Sequence, residues 1–258
     1  MSASLSRSLA AAEGTSAAGA LSLSEQPALA PLAPVAAPHE IPDLGELATV
    51  SKEFEAAPAT TVIKWAWERF GPDVTLASSF QDCVLIDLAM QVAPEIEIAF
   101  LDTQYHFAET LWYVEHVRER YDLNLNIVRP AIDPDDRWKT DIDTCCAARK
   151  VGPLERALVG KDAWMSGLRR EETPARANAP IVSFDLGRGM VKVNPIATWT
   201  EHDVRQYEAD RDLPRHPLHD RGYGSIGCWP CTRTIEPGED PRAGRWSGTG
   251  KLECGLHQ

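Results

Sequence analysis

Residues 74–101 read VTLASSFQDCVLIDLAMQVAPEIEIAFL. Val74-Thr75-Leu76-Ala77 is a short apolar run, Ser78 to Asp82 is a polar break, and from Asp82 to Val92 apolar residues recur at 84, 85, 88 and 92. That spacing follows one face of a helix. Ile96 to Leu101 is a second apolar run. Strand, polar turn, helix and strand in this order predict parallel strands buried on both faces, an α/β fold. Ligands in such sheets bind beyond the carboxyl ends of the strands, which directs attention to Ser78–Asp82 and to Leu101-Asp102-Thr103.

The same alternation continues outward. Ala108 to Tyr121 reads as a helix with Leu111, Val114 and Val117 along one face, and Thr200 to Ala209 as a helix started by a Thr200 cap. Leu125 to Val128, Ala163 to Met165 and Met190 to Val193 read as strands, and Cys145 to Leu158 as a helix with the cysteine pair at its head. From Pro214 to Gln258 periodicity gives way to Gly, Pro, Arg and Cys. At the other end, residues 1–40 hold 12 Ala, 7 Ser and 4 Pro with no aromatic residue. Such a segment lacks the apolar groups that offset ordering entropy, so a disordered tail is expected. Its single basic residue, Arg7, argues against an Arg-rich targeting peptide. Three regions result: the tail over 1–40, an α/β nucleotide-binding domain over 41–213, and a Cys- and Arg-rich segment over 214–258.

With 26 Lys and Arg against 38 Asp and Glu, the 258-residue chain has a net charge of -12. This opposes a general grip on nucleic acid, so an anionic ligand requires a local cationic cluster. The apolar runs fall short of a membrane span, so no membrane partner is expected. Six cysteines, at 83, 145, 146, 228, 231 and 254, are too few and too uneven for a disulfide scaffold. They suit a reducing, cytoplasmic setting.

Cys145-Cys146 and Cys228-x-x-Cys231 can close four thiolates round one centre. Zinc and iron–sulfur clusters both take four Cys ligands. Adjacent cysteines reach separate corners of a cluster more readily than one tetrahedral ion, and a plain set of thiols is the third reading. Cys254, near the end in Glu253-Cys254-Gly255-Leu256-His257, suits a nucleophile on a mobile tail, or a spare surface thiol. Its thiolate would be favoured by cations such as Arg242, Arg245 and His257 and opposed by Glu253. Ser78 and Ser79 offer hydroxyls and backbone N–H groups to an anion at a helix start, though both are also ordinary caps. Arg149-Lys150 follows the Cys pair by one turn, and Arg169-Arg170 follows the strand that runs into Ser166-Gly167. Arginines grip sulfate or phosphate oxygens bidentately, while each alone is more often solvated surface. Cys83 reads as core.

Taken together, Cys145-Cys146-Ala-Ala-Arg149-Lys150, Gly167-Leu168-Arg169-Arg170, Gly227-Cys228-Trp-Pro-Cys231-Thr232-Arg233, Arg242-Ala-Gly-Arg245-Trp246 and Glu253-Cys254-Gly255-Leu256-His257 resemble the assimilatory adenylyl-sulfate (APS) reductases, from about Val62 onward. The related phosphoadenylyl-sulfate (PAPS) reductases keep the tail cysteine but lack both cysteine pairs. The resemblance implies an adenine-nucleotide alpha-hydrolase-like domain with a modified pyrophosphate loop, and reduction of APS to sulfite and AMP. It implies a 4Fe-4S cluster on Cys145, Cys146, Cys228 and Cys231, and Cys254 as nucleophile. Arg149, Lys150, Arg169, Arg170, Arg242, Arg245 and His257 match positions around the phosphosulfate, and Ser78 and Ser79 align with the loop. Leu101, Thr103 and Gly167 complete the expected substrate contacts. The loop lacks glycine and carries Phe80, which opposes ATP cleavage. No thioredoxin-like domain follows Gln258, so thioredoxin is expected as a separate reductant; a homo-oligomer is left open. PAPS or dual reduction, a sulfur-transferring tRNA enzyme of the same superfamily, and a redox-sensing cluster protein are the competing readings.

Overall fold

A computed structural model describes residues 42–257; the expected disordered tail lies outside the described residues. Helix α1 (Leu44–Glu53) starts where the Asp43 carboxylate accepts from the Gly45 and Glu46 N–H groups, and α2 (Ala59–Phe70) follows Pro58. The alternating core comes next: β1 (Val74–Ser78), α3 (Val84–Met90), β2 (Glu97–Leu101), α4 (Ala108–Tyr121) and β3 (Leu125–Val128). Two short helices, α5 (Arg137–Thr140) and α6 (Ile142–Cys146), lead through a wide π turn (Ala147–Val151) into α7 (Gly152–Ala157). Then β4 (Ala163–Ser166), β5 (Val182–Asp185), β6 (Met190–Val193) and α8 (Glu201–Asp210) complete the elements, with α8 capped by Thr200.

The six strands form one sheet in the order β3-β2-β1-β4-β6-β5. All neighbours are parallel except β5, which returns antiparallel on β6. The chain leaves β1 on one side to build β2 and β3, then comes back on the other side with β4. The crevice between the carboxyl ends of β1 and β4 is therefore the topological switch point. Val74, Leu76, Ile98, Phe100, Ala163 and Met165 are buried and pack with Val62, Ile63 and Ala66 of α2, Val84 to Ala89 of α3, and Tyr113, Val114 and Val117 of α4. Each large apolar side chain so covered contributes about 1.5–3 kcal/mol.

Three sequence expectations change. Leu111 is 46% exposed; the buried stripe of α4 runs through Thr110, Tyr113, Val114 and Val117, with Leu111 on its flank. The strand β5 was not expected, although Gly187 and Gly189, the latter at φ +68°, permit the hairpin into β6. The cysteine pair closes α6 instead of heading a long helix: the start lies earlier, at the Asp141 cap, whose carboxylate accepts from Thr144 N at 2.9 Å. Pro153 has no N–H to continue an i to i−4 ladder, and the backbone widens into the π turn just before it.

Candidate functional site

A cavity of about 200 Å³ opens at the switch point. Its floor is the ends of β1, β2 and β4, represented by Ser78, Ser79, Leu101, Thr103, Ser166 and Gly167. In the loop after β1, Ser78 Oγ accepts from Phe80 N at 3.1 Å and Asp82 Oδ1 accepts from Val84 N at 3.0 Å, opening α3. Phe80 sits at φ +52°, a left-handed conformation that costs a non-glycine residue about 1–2 kcal/mol. Its ring is fully buried edge-on against Phe100 at 5.3 Å, which holds it there.

The roof is the segment after Pro214. Thr232 and Arg245 form an antiparallel bridge, and Trp246 N donates to the Cys231 carbonyl at 2.9 Å, so the Cys228–Cys231 turn and the Arg242–Trp246 stretch are one unit. Arg242, Arg245, Cys254 and His257 line the cavity from this side, Arg169 from the β4 loop and Lys150 from the π turn. Burial by itself would raise the Cys254 thiol; the Lys150 ammonium, the Leu256 N–H and the Arg245 guanidinium outweigh it and hold the thiol below its usual range. Burial opposes the Lys150 charge, yet the thiols of Cys228, Cys254 and Cys146 keep its ammonium raised overall.

The tail is docked. Glu253, expected to oppose the Cys254 thiolate, is tied up: Arg176 Nε and Nη2 reach its two oxygens at 2.6 and 2.5 Å, and Thr173 donates at 2.8 Å. Leu256 packs on Leu101, Leu154, Leu158 and Trp164. His257 is stacked on Trp164 at 5.9 Å and 4°, with Lys192 Nζ donating to its Nδ1 at 3.2 Å.

Several expected cations are otherwise engaged. His257 lines the cavity, and its imidazole is driven well below its ordinary value, first by burial and then by Lys192, Arg176 and Arg188. Arg170 turns outward, gripping Glu55 at 2.8 and 2.7 Å and the Ala179 carbonyl at 2.8 Å. Arg149 is buried on the far side, stacked 4.6 Å from Tyr105 and donating to Gln104 Oε1 and the Asp133 carbonyl, both at 2.6 Å. In both cases acceptors within the fold hold a guanidinium that the resemblance placed around the phosphosulfate. Arg169 lines the cavity but also holds Glu201 at 2.8 Å and Glu171 at 3.2 Å.

Arg176, Gln81, His106 and Trp246 also line the cavity and were not singled out. Trp246 stands inside a quoted motif, while Arg176 lies in a loop with no periodic signal.

Behind Lys150, the side chains of Cys145, Cys146, Cys228 and Cys231 line one small second cavity. Thr103 Oγ1 lies 3.3 Å from Cys228 Sγ, linking the two cavities. Burial raises the thiols of Cys145, Cys146 and Cys231, the last to about 11. Three buried sulfurs and the half-buried Cys231, with Lys150 beside them, form a soft donor set that suits a sulfur-ligated group. No set of three or more His, Cys, Asp or Glu among the described residues is arranged to hold a single metal ion. All six cysteines are free, and among the described residues no helix is long and apolar enough to cross a membrane.

A mostly parallel α/β sheet whose switch-point crevice brings a lowered thiol among cationic side chains defines a class: thiol-bearing anion-pocket proteins on a nucleotide-binding-type fold. Within it the chain belongs to the phosphoadenosine phosphosulfate reductase domain family, whose pattern matches residues 73–234. It is 43% identical over 234 residues to an adenosine 5'-phosphosulfate reductase of Rhodococcus opacus, covering 83% of this chain and 95% of that protein. It is 45% identical over 213 residues to one of Mycobacteroides abscessus, covering 80% and 90%. Among solved structures it resembles a phosphoadenylyl-sulfate reductase of Candida auris, with TM-score 0.66 and 26% identity over 75% of this chain and 98% of that one. A likeness to the FMN adenylyltransferase of Candida glabrata, TM-score 0.52 at 13% identity over 74% and 75% of the two chains, reflects the fold alone.

Proposed function

We propose that this protein reduces adenosine 5'-phosphosulfate to sulfite and AMP in assimilatory sulfate reduction. The observation that carries the reading is Cys254 inside the cavity, its thiol lowered by Lys150 and Arg245. The names of the curated relatives point to the same substrate.

The Cys254 thiolate attacks the sulfur of the phosphosulfate. A sulfur–sulfur bond forms as the sulfur–oxygen bond to phosphate breaks, and AMP leaves with that electron pair. Lys150, Arg242 and Arg245 neutralise the oxygens that otherwise repel an incoming anion; one such donor is worth about 100- to 1,000-fold in rate. The Cys254 S-sulfonate is then opened by a thiolate of an external dithiol protein, thioredoxin, which attacks the Cys254 sulfur and expels sulfite. The second thiol of the dithiol resolves the mixed disulfide, frees the Cys254 thiolate and supplies the balance of two electrons. Cys145, Cys146, Cys228 and Cys231 would hold a 4Fe-4S cluster, which would supply a fixed charge to the side of the cavity that carries Lys150. Free thiols and such a cluster fit a cytoplasmic setting.

The test is anaerobic sulfite release from APS and, separately, from PAPS, with a thioredoxin system and an iron assay on the same sample. Sulfite from APS supports the reading, and the ratio of the two rates sets the branch. Cys254→Ser should bind APS and keep its iron while losing turnover by about a thousandfold or more; retained turnover removes Cys254 from the chemistry.

A further inference from the structure

Resting on that reading, we infer that Gln81 is a positioning residue for Arg245, acting through Ser225 and Ile226. Gln81 sits in the loop after β1, and its Oε1 accepts from Ile226 N at 2.8 Å and from Ser225 Oγ at 3.0 Å. Arg245 Nη1 in turn donates to Ser225 Oγ at 3.2 Å and to the Ile226 carbonyl at 3.1 Å. Ser225 and Ile226 are both buried. A hydroxyl has one proton to give, and an arginine can only donate. The relay therefore has one direction: Arg245 donates to Ser225, and Ser225 donates to Gln81. The backbone N–H of Ile226 fixes the amide with its oxygen on this side.

The main chain of Gln81 is tied to the same segment. Its carbonyl lies 3.1 Å from His219 Nε2, and His219 Nδ1 lies 3.0 Å from the Tyr223 carbonyl. Both ring nitrogens lie against backbone carbonyls, so the imidazole bridges the Gln81 loop and the Tyr223 turn. Gly227 closes the geometry: a Cβ there would stand 2.4 Å from Arg245 Nη2. The guanidinium thus rests on residues 225–227, and those residues are anchored to the sheet by Gln81. Without the Gln81 amide, two buried donors lose their acceptor and the platform under Arg245 loses its tether.

The test is a double-mutant cycle on the holoenzyme. Gln81→Leu should lower kcat/KM for APS about tenfold and Arg245→Gln about a hundredfold, with the double variant within twofold of Arg245→Gln alone. Ser225→Ala, which removes one hydroxyl, should act in the same direction more weakly. Independently of activity, the Arg245 Nε–H resonance, assigned with Arg245→Lys, should move in Gln81→Leu and in Ser225→Ala without any ligand. A resonance that stays in place, a Gln81→Leu enzyme at wild-type kcat/KM, or fully additive losses would overturn the assignment. A wild-type enzyme that releases no sulfite from APS defeats the proposed function instead, and the resonance still decides the role of Gln81.

Discussion

The Arg176 guanidinium clasps both carboxylate oxygens of Glu253, one residue before Cys254. Cys254 reaches the cavity on a tail whose docking depends on this ion pair, on Thr173 and on the seat of Leu256. Glu253 is partly buried, which favours its neutral form, yet Arg176 and Thr173 hold the carboxyl below its ordinary range. A depressed carboxyl stabilises docking above the usual glutamate range and loses that contribution as pH falls through its lowered value. Carboxypeptidase should therefore trim the tail faster in acid. Glu253→Gln should remove that acid dependence, speed trimming at neutral pH and lower kcat/KM about tenfold, the loss of a charge-assisted pair.

Lys192 is buried, and this pushes its ammonium down from an ordinary 10.5 to about 8. Between about 8 and 10.5 the unfolded chain binds the extra proton, so this residue makes stability rise with pH across that window. Lys192→Met should flatten the rise and raise stability at pH 7. Urea midpoints from pH 7 to 10, compared between the two proteins, measure it; parallel curves contradict the assignment.

Cys228→Ser should lose iron and visible absorbance, because a hydroxyl is a poor substitute for one of four soft donors. Arg149 lies behind the Cys145 and Cys228 side of the structure, against Tyr105. Arg149→Leu should therefore lower iron content and thermal stability with little change in KM for the enzyme that retains its iron. A raised KM at full iron loading would return Arg149 to the substrate pocket.

Gly227→Ala should act as a displaced arginine without removing it. The added methyl meets the far end of the Arg245 side chain and would have to displace it from its seat on Ser225 and Ile226. The expected loss is about tenfold in kcat/KM, close to the effect of a single mispositioned donor, with far-ultraviolet dichroism unchanged. A wild-type rate would show that the cavity tolerates the shift.

Much of this was legible because the sheet is written in local pattern. Ala108–Tyr121, Leu125–Val128 and Met190–Val193 match element bounds residue for residue, and the Thr200 cap is a reciprocal capping box with Asp203. Ser78, Ser79, Lys150, Arg242, Arg245 and Cys254, from separate stretches of chain, line one cavity. What escaped depends on tertiary partners. Glu55 captures Arg170 from 115 residues away, and nothing local foretells it. The downward shift of His257 needs the burial and the crowd of cations that only the folded tail creates. Arg176 finds its partner in Glu253, 77 residues later, which no local pattern foretells.

The docked tail also sets an order of events. With Leu256 wedged among Leu101, Leu154, Leu158 and Trp164, the segment bearing Cys254 plugs the cavity it serves. Under the proposed reaction a protein reductant would not share that crevice with the nucleotide, and the tail would have to serve the two in turn. The kinetic signature is ping-pong: double-reciprocal plots against APS at several reductant concentrations should run parallel, and the sulfonated enzyme should be isolable when reductant is withheld.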